Sequence, residues 1–299
     1  MGAAYHLGAW IALAGVPALL TIDALMGLAY RTNTISDVKV ISSRSGKTHR
    51  AVVIFPGYVM SGSTVGQAFA PYVADNDGIV VVNYAQRGVN VPQIYGKVMS
   101  ALQTLRPVEV RIYGASMGGM VSKLFLDRYR QDHAPYGKVT LILDSVPAGK
   151  AYVKRPAFLF QLGCLFRGGP LTSALWAAAD GFVAKPPAGK DASPDIIRAA
   201  RRAGAWVGTP AATSQACFIS KFGLLREDEL VDVVQKTVYL QGNPPDDDPL
   251  VRISDSIAEW RFACRNLMVV TVPGRTGRWH LPLVEFPRET ARAITAVGY

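Results

Sequence analysis

Gly114-Ala115-Ser116-Met117-Gly118 stands where a strand hands over to a helix. Before it, Val108-Glu109-Val110-Arg111-Ile112-Tyr113 has the β-branched and aromatic content of a strand. After Gly119, the residues Met120, Val121, Leu124, Phe125 and Leu126 recur at helical spacing. A Gly-x-Ser-x-Gly turn at such a junction forces the serine into a tight, strained backbone, and only small neighbours leave room for it. The hydroxyl is then lifted above the sheet, beside a helix N-terminus that stabilises developing negative charge.

Outward from this turn, strand and helix patterns alternate. Asp37 to Ser42 and Arg50 to Phe55 read as strands joined by a polar turn, and Pro56-Gly57-Tyr58 ends the second. Thr64 to Asn76 has helical character, and Pro92 to Leu105 reads as a further helix. Ile79 to Tyr84 and Val139 to Leu143 are nearly unbroken apolar runs, as expected of strands covered on both faces of a parallel sheet. Such alternation predicts an α/β fold with a mostly parallel, doubly wound sheet. It stops at about Pro147. Up to Lys236 the chain is rich in Ala, Gly and Pro, with helical runs and no convincing strand. Thr237 to Gly242 and Leu267 to Val272 restore the strand pattern, with helices over Ile253 to Phe262 and Pro287 to Ala296. The layout is therefore an N-terminal segment 1–31, a core over 32–146 and 237–299, and a helical insertion over 147–236.

The chain has 299 residues, a net charge of +10 and a basic pI near 9.6. Its basic residues are scattered, the densest group being Arg198, Arg201 and Arg202, and no aromatic-interleaved basic face points to nucleic acid. A solvated surface is the plain expectation, and an anionic lipid surface is the alternative partner. Cys164, Cys217 and Cys264 are far apart without a Cys-x-x-Cys, so they read as small buried hydrophobes rather than as a disulfide framework or zinc site. At most one bridge is possible, which leaves the redox compartment open.

From Leu7 to Tyr30 the only charged residue is Asp23. As one helix this stretch is roughly 36 Å long, enough to cross a ~30 Å hydrocarbon core. It reads first as a single membrane anchor. A cleaved signal ending near Gly27-Leu28-Ala29 and a helix buried against the domain are the alternatives. Arg31, Lys39, Arg44, Lys47 and Arg50 follow the segment, and the positive-inside rule then favours a cytoplasmic globular part.

A reactive serine needs a base, a group that orients the base, and donors for an oxyanion. Of the four histidines, His6, His49 and His133 lie before the apolar segment, in a polar turn and at a helix end. His280 follows the last predicted strand, and open α/β sheets build their sites in loops beyond the carboxyl ends of strands. His280 is thus the expected base. For the acid, Asp246, Asp247 and Asp248 directly follow a strand in Gly242-Asn243-Pro244-Pro245-Asp246-Asp247-Asp248-Pro249-Leu250-Val251. Asp248 is the first choice.

These features together resemble the α/β-hydrolase fold family over most of residues 37 to 299. The nucleophile elbow corresponds to Gly114 through Gly118. The oxyanion loop corresponds to Phe55-Pro56-Gly57-Tyr58, with Pro56 in place of histidine, and the Asp-x-x-Arg-Gly-type segment to Tyr84-Ala85-Gln86-Arg87-Gly88, without the first aspartate. The acid loop corresponds to Gly242 through Val251, with two extra residues, and the order Ser, Asp, His agrees. The resemblance implies an oxyanion hole of Met117 and Tyr58 backbone N–H groups, with Asp144 as an alternative acid position. It makes the insertion a cap, whose apolar Ala157 to Phe166 suits a hydrophobic substrate or membrane contact. It implies a serine hydrolase of hydrophobic esters or thioesters acting through an acyl-enzyme, without metal or organic cofactor. An acyltransferase using the same three residues, and a degenerate binding or membrane-scaffold protein, are the other readings.

Overall fold

The computed structural model describes residues 14–27, 35–41, 48–74, 76–86, 88–133, 135–165, 169, 171, 211–272, 280 and 286–296. Among the described residues, seven strands form one sheet: β1 (Asp37–Ile41), β2 (Arg50–Phe55), β3 (Asp77–Asn83), β4 (Glu109–Ala115), β5 (Val139–Asp144), β6 (Val234–Gln241) and β7 (Leu267–Thr271). Their order is β1-β3-β2-β4-β5-β6-β7. Only β1 runs antiparallel, against β3, and every other pairing is parallel.

The described helices are α1 (14–27), α2 (Gly62–Phe69), α3 (Val91–Leu105), α4 (Met117–Gln131), α5 (Ala157–Leu165), α6 (211–221), α7 (Ile253–Ala263) and α8 (Pro287–Ala296). Pleating sorts the strand residues onto two apolar faces. Val53, Phe55, Val80, Ile112 and Leu141 pack with Ile94 and Val98 of α3 and Phe125 of α4. Val52, Ile54, Val81, Tyr113 and Leu240 pack with Val65 and Phe69 of α2 and Ile294 of α8 on the other face. Both faces are covered, which is why the central strands read as continuous apolar runs.

Where the structure departs from the expected boundaries, identifiable residues cause it. The helix expected over Thr64 to Asn76 is α2 followed by a 3₁₀ turn at Ala70–Tyr72, because Pro71 has no N–H with which to continue the α ladder. β6 starts at Val234, so the insertion yields three residues to the sheet earlier than Thr237.

The insertion also corrects the reading of the cysteines. Cys164 of α5 and Cys217 of α6 form a disulfide with their Cα atoms 4.6 Å apart. Gly163 permits that approach, since a Cβ there would lie 2.8 Å from the Ala216 Cβ. Cys264 is free and buried as expected, and burial pushes its thiol up to about 11.

At the N-terminus, α1 is the described part of the predicted apolar segment. Residues 14–27 make about 21 Å of helix. No helix among the described residues is long and apolar enough to cross a membrane. The remainder of the Leu7–Tyr30 segment lies outside the described residues. Within α1, Val16, Leu19, Leu20, Ile22, Leu25 and Met26 are all exposed. Asp23 is instead buried, and its carboxylate accepts the Leu171 N–H at 2.6 Å.

Candidate active site

The parallel register aligns the carboxyl ends of β2, β4 and β5, with Gly114 opposite both Phe55 and Leu143. The chain must turn immediately from β4 into α4. Ser116 makes that turn with φ 49° and ψ −121°, outside the regions an L-residue favours. Missing side chains around it make room. A Cβ on Gly114 would lie 2.6 Å from Gly119 Cα, and one on Gly118 would lie 2.0 Å from the Phe55 carbonyl oxygen. The Ser116 N–H donates to the Asp144 carbonyl at 2.9 Å, which fixes the turn to the end of β5.

His280 reaches this turn from the far end of the chain. Its Nε2 lies 2.8 Å from Ser116 Oγ. Its Nδ1 lies 3.0 and 3.1 Å from the two carboxylate oxygens of Asp248. Facing two acceptor oxygens, Nδ1 is the nitrogen that carries the proton, and this leaves the Nε2 lone pair aimed at the serine hydroxyl. Asp248 is fully buried, and His280 and Ser116 are 5% and 7% exposed. Removal of water strengthens each of these polar contacts.

Asp248 is held by its own loop. Its Oδ1 also accepts the N–H groups of Leu250 and Val251 at 2.8 and 2.9 Å. Lys154, at the start of the insertion, donates from Nζ to the carbonyls of Asp246 and Asp248 at 2.6 and 2.8 Å. Neither neighbour in the triplet turns inward. Asp246 is exposed and accepts the Ser254 hydroxyl at 3.0 Å, while Asp247 is exposed on the same 3₁₀ turn.

Asp144 is equally buried but faces another way. It accepts the Tyr113 hydroxyl at 2.5 Å and the Ser145 hydroxyl at 3.5 Å. Between the two aspartates, burial first and then the charges of Asp248 and Asp144 raise Tyr239 well above the usual tyrosine range. Its phenol therefore stays neutral and donates to the Val146 carbonyl at 2.8 Å.

Met117, 1% exposed, opens α4 directly after Ser116. Gly57 backs onto the same turn, because a Cβ there would lie 3.4 Å from Ser116 Cβ, and Tyr58 follows it. Tyr84 donates its hydroxyl to the Pro56 carbonyl at 3.0 Å, and Gln215 accepts the Val59 N–H at 2.7 Å. Lys154 and Gln215 are contacts that no local motif announces, since each depends on how distant segments pack. The other histidines are elsewhere: His49 precedes β2 at the opposite end of the sheet, His133 follows α4, and His6 lies outside the described residues, as does Arg87.

No family model matches the chain, and no curated protein matches it in sequence. Solved structures do match. A thermophilic esterase from Thermogutta terrifontis aligns with a TM-score of 0.64 at 16% identity, over 88% of this chain and 92% of its own. An esterase from Exiguobacterium antarcticum aligns at 0.59 and 14% identity, over 88% and 94%. A bacterial membrane phospholipase A, described as a virulence factor, aligns at 0.57 and 19% identity, over 98% and 96%. The chain has the α/β-hydrolase fold. In an α/β-hydrolase fold, loops at the carboxyl ends of neighbouring strands converge, so residues as distant as Ser116, Asp248 and His280 meet in one place.

Proposed function

We propose that the protein is a serine hydrolase of carboxylic esters or thioesters of hydrophobic character, acting through an acyl-enzyme. The observation that carries this reading is the continuous chain of contacts from Ser116 Oγ through His280 to Asp248, at 2.8 and 3.0 Å, on a strained turn. Ser116 attacks the acyl carbon while His280 Nε2 takes its proton. Asp248 holds the His280 tautomer and stabilises the imidazolium that forms. The backbone N–H groups of Met117 and Tyr58 receive the developing oxyanion. Imidazolium returns the proton to the leaving alcohol or thiol. Water, activated by the same His280, then releases the acid.

The preorganised serine–histidine contact favours this reading over a degenerate binding protein. Transfer of the acyl group to another acceptor follows the same first half-reaction and is separated by product analysis. A fluorophosphonate probe gives the direct test. It should label the wild-type protein and leave Ser116→Ala unlabelled, and a wild type that stays unlabelled would overturn the assignment. A series of p-nitrophenyl esters of increasing chain length then reads the acyl preference. The apolar sequence of α5, with Phe158 exposed, supports a preference for longer chains.

The protein's place is proposed to be a membrane surface. Apolar side chains around α1 are exposed, and its lone acid is withdrawn into the contact with Leu171. The structural likeness to a membrane phospholipase A is in keeping with this. The Cys164–Cys217 disulfide supports an oxidising compartment, against the cytoplasmic side favoured by the basic residues after the segment. Co-flotation with vesicles of anionic phospholipid tests the membrane, and failure of the full chain to float would remove it.

A further inference from the structure

The loop carrying Tyr58 is not held in place by the core alone. Val59 has φ 58°, in the left-handed region that a β-branched residue strongly disfavours. Such a conformation persists only where surrounding contacts over-determine it. Here the contact comes from the insertion: the Val59 N–H donates to Gln215 Oε1 at 2.7 Å, and Gln215 is 1% exposed on α6.

Helix α6 is itself anchored at adjacent positions. The Ser214 hydroxyl donates to the Gln86 carbonyl in the loop after β3, at 3.0 Å. Cys217 is bonded to Cys164 of α5. Gln215 is thus presented by a clamped helix, and its acceptor oxygen meets a strained N–H one residue beyond Tyr58.

We propose that Gln215 is a positioning residue for the oxyanion loop, by which the insertion sets the aim of the Tyr58 N–H. The proposal rests on the reading of Ser116 as nucleophile. Without the Gln215 acceptor, Val59 relaxes to negative φ. The Tyr58–Val59 peptide rotates with it, and the loop moves off the serine. Substrate contacts made elsewhere are untouched. The loss therefore falls on transition-state stabilisation, which appears in kcat rather than in KM.

The test compares wild type with Gln215→Leu, which keeps the side-chain size and removes the acceptor, and Gln215→Glu, which restores a carboxylate acceptor. With a p-nitrophenyl ester, Gln215→Leu should lose about 10- to 100-fold in kcat, below the ~10²–10³-fold of deleting a donor outright. KM should stay within about twofold. Its fluorophosphonate labelling should slow in parallel, and Gln215→Glu should recover most of both rates. Because Gln215→Leu also leaves the Val59 N–H without its side-chain acceptor, a second arm removes the strain at its source. Glycine adopts φ near +58° without penalty, so Val59→Gly in the Gln215→Leu background should restore kcat by about tenfold or more. Equal labelling of wild type and Gln215→Leu, a change confined to KM, or no recovery with Val59→Gly would each overturn the proposal. A wild type that fails to label at all would instead overturn the nucleophile assignment beneath it.

Discussion

β5 and β6 are neighbours in the sheet, and at the same end of the molecule one fully buried aspartate closes β5 and another lies beyond β6, yet only Asp248 meets His280. Asp144 is the last residue of β5 and is still paired, with Ala115 on one side and Leu240 on the other. The pleat therefore dictates its direction, and it lands diagonally on the Tyr113 hydroxyl of β4. Asp248 lies beyond the end of β6, past a 3₁₀ turn, and takes its direction from the Leu250 and Val251 N–H groups. A carboxylate in the ladder inherits an orientation. One in a loop acquires it from local hydrogen bonds, and that freedom lets it follow a histidine arriving from another segment.

Ser116→Ala sets the ceiling for any test of this difference. Loss of the proposed nucleophile should cost at least ~10⁴-fold in kcat, with circular dichroism and Tm close to wild type. His280→Ala should cost about as much, and the double variant no more than either alone, because the two act as one unit. Next in size, Asp248→Asn should lower kcat by roughly 10³- to 10⁴-fold. The amide then donates toward Nδ1 and favours the wrong tautomer. If Asp248→Asn retained activity and Asp144→Asn did not, the two strand ends would exchange roles.

The features legible in the sequence are those set by burial pattern and chain order. Ile79 to Val82 and Val139 to Leu143 announce central strands because both faces are covered. Pro287 to Ala296 is a helix with the expected ends. Ser116, His280 and the run Asp246 to Asp248 stand out because each follows a strand, and site loops lie at strand ends. Direction was not legible. The Pro-Leu-Val after Asp248 ranks it first of the three, but the contacts that turn Asp246 to Ser254 and Asp248 to His280 are not written in the triplet. The Cys164–Cys217 bridge, Lys154 and Gln215 were equally hidden. Their partners are set by how the insertion packs, with Gly163 bringing α5 against α6, and not by any spacing along the chain.

Asp144→Asn should separate structure from chemistry. It removes the charge from a buried hydrogen bond with Tyr113, which costs about 1–3 kcal/mol of stability. At 2–4 °C per kcal/mol for a domain approaching this size, Tm should fall by several degrees. The kcat of the folded protein should stay within about threefold, because His280 keeps its partner. A thermal melt and an ester assay on the same sample decide it. A large kcat loss with an unchanged Tm would mean that Asp144 acts on the reacting groups.

The smallest effects belong to the two exposed members of the acid triplet. Asp246 accepts the Ser254 hydroxyl at 3.0 Å beside the N-terminus of α7, and an asparagine oxygen accepts the same bond. Asp246→Asn then loses only the attraction between its charge and the helix dipole, about 0.3–1 kcal/mol, with kcat unchanged. Asp247 is exposed on the turn, so Asp247→Asn should alter stability by less than about 0.5 kcal/mol and leave kcat at wild-type level. The contrast with Asp248→Asn, over three successive carboxylates, is sharper than one between distant residues. All three changes remove one negative charge from the same loop, so a general electrostatic effect on the site would lower kcat in all of them. A fall at Asp248 alone isolates the contact with His280 Nδ1, and a comparable fall at Asp246 or Asp247 would show that loop charge, rather than that contact, sustains the reaction.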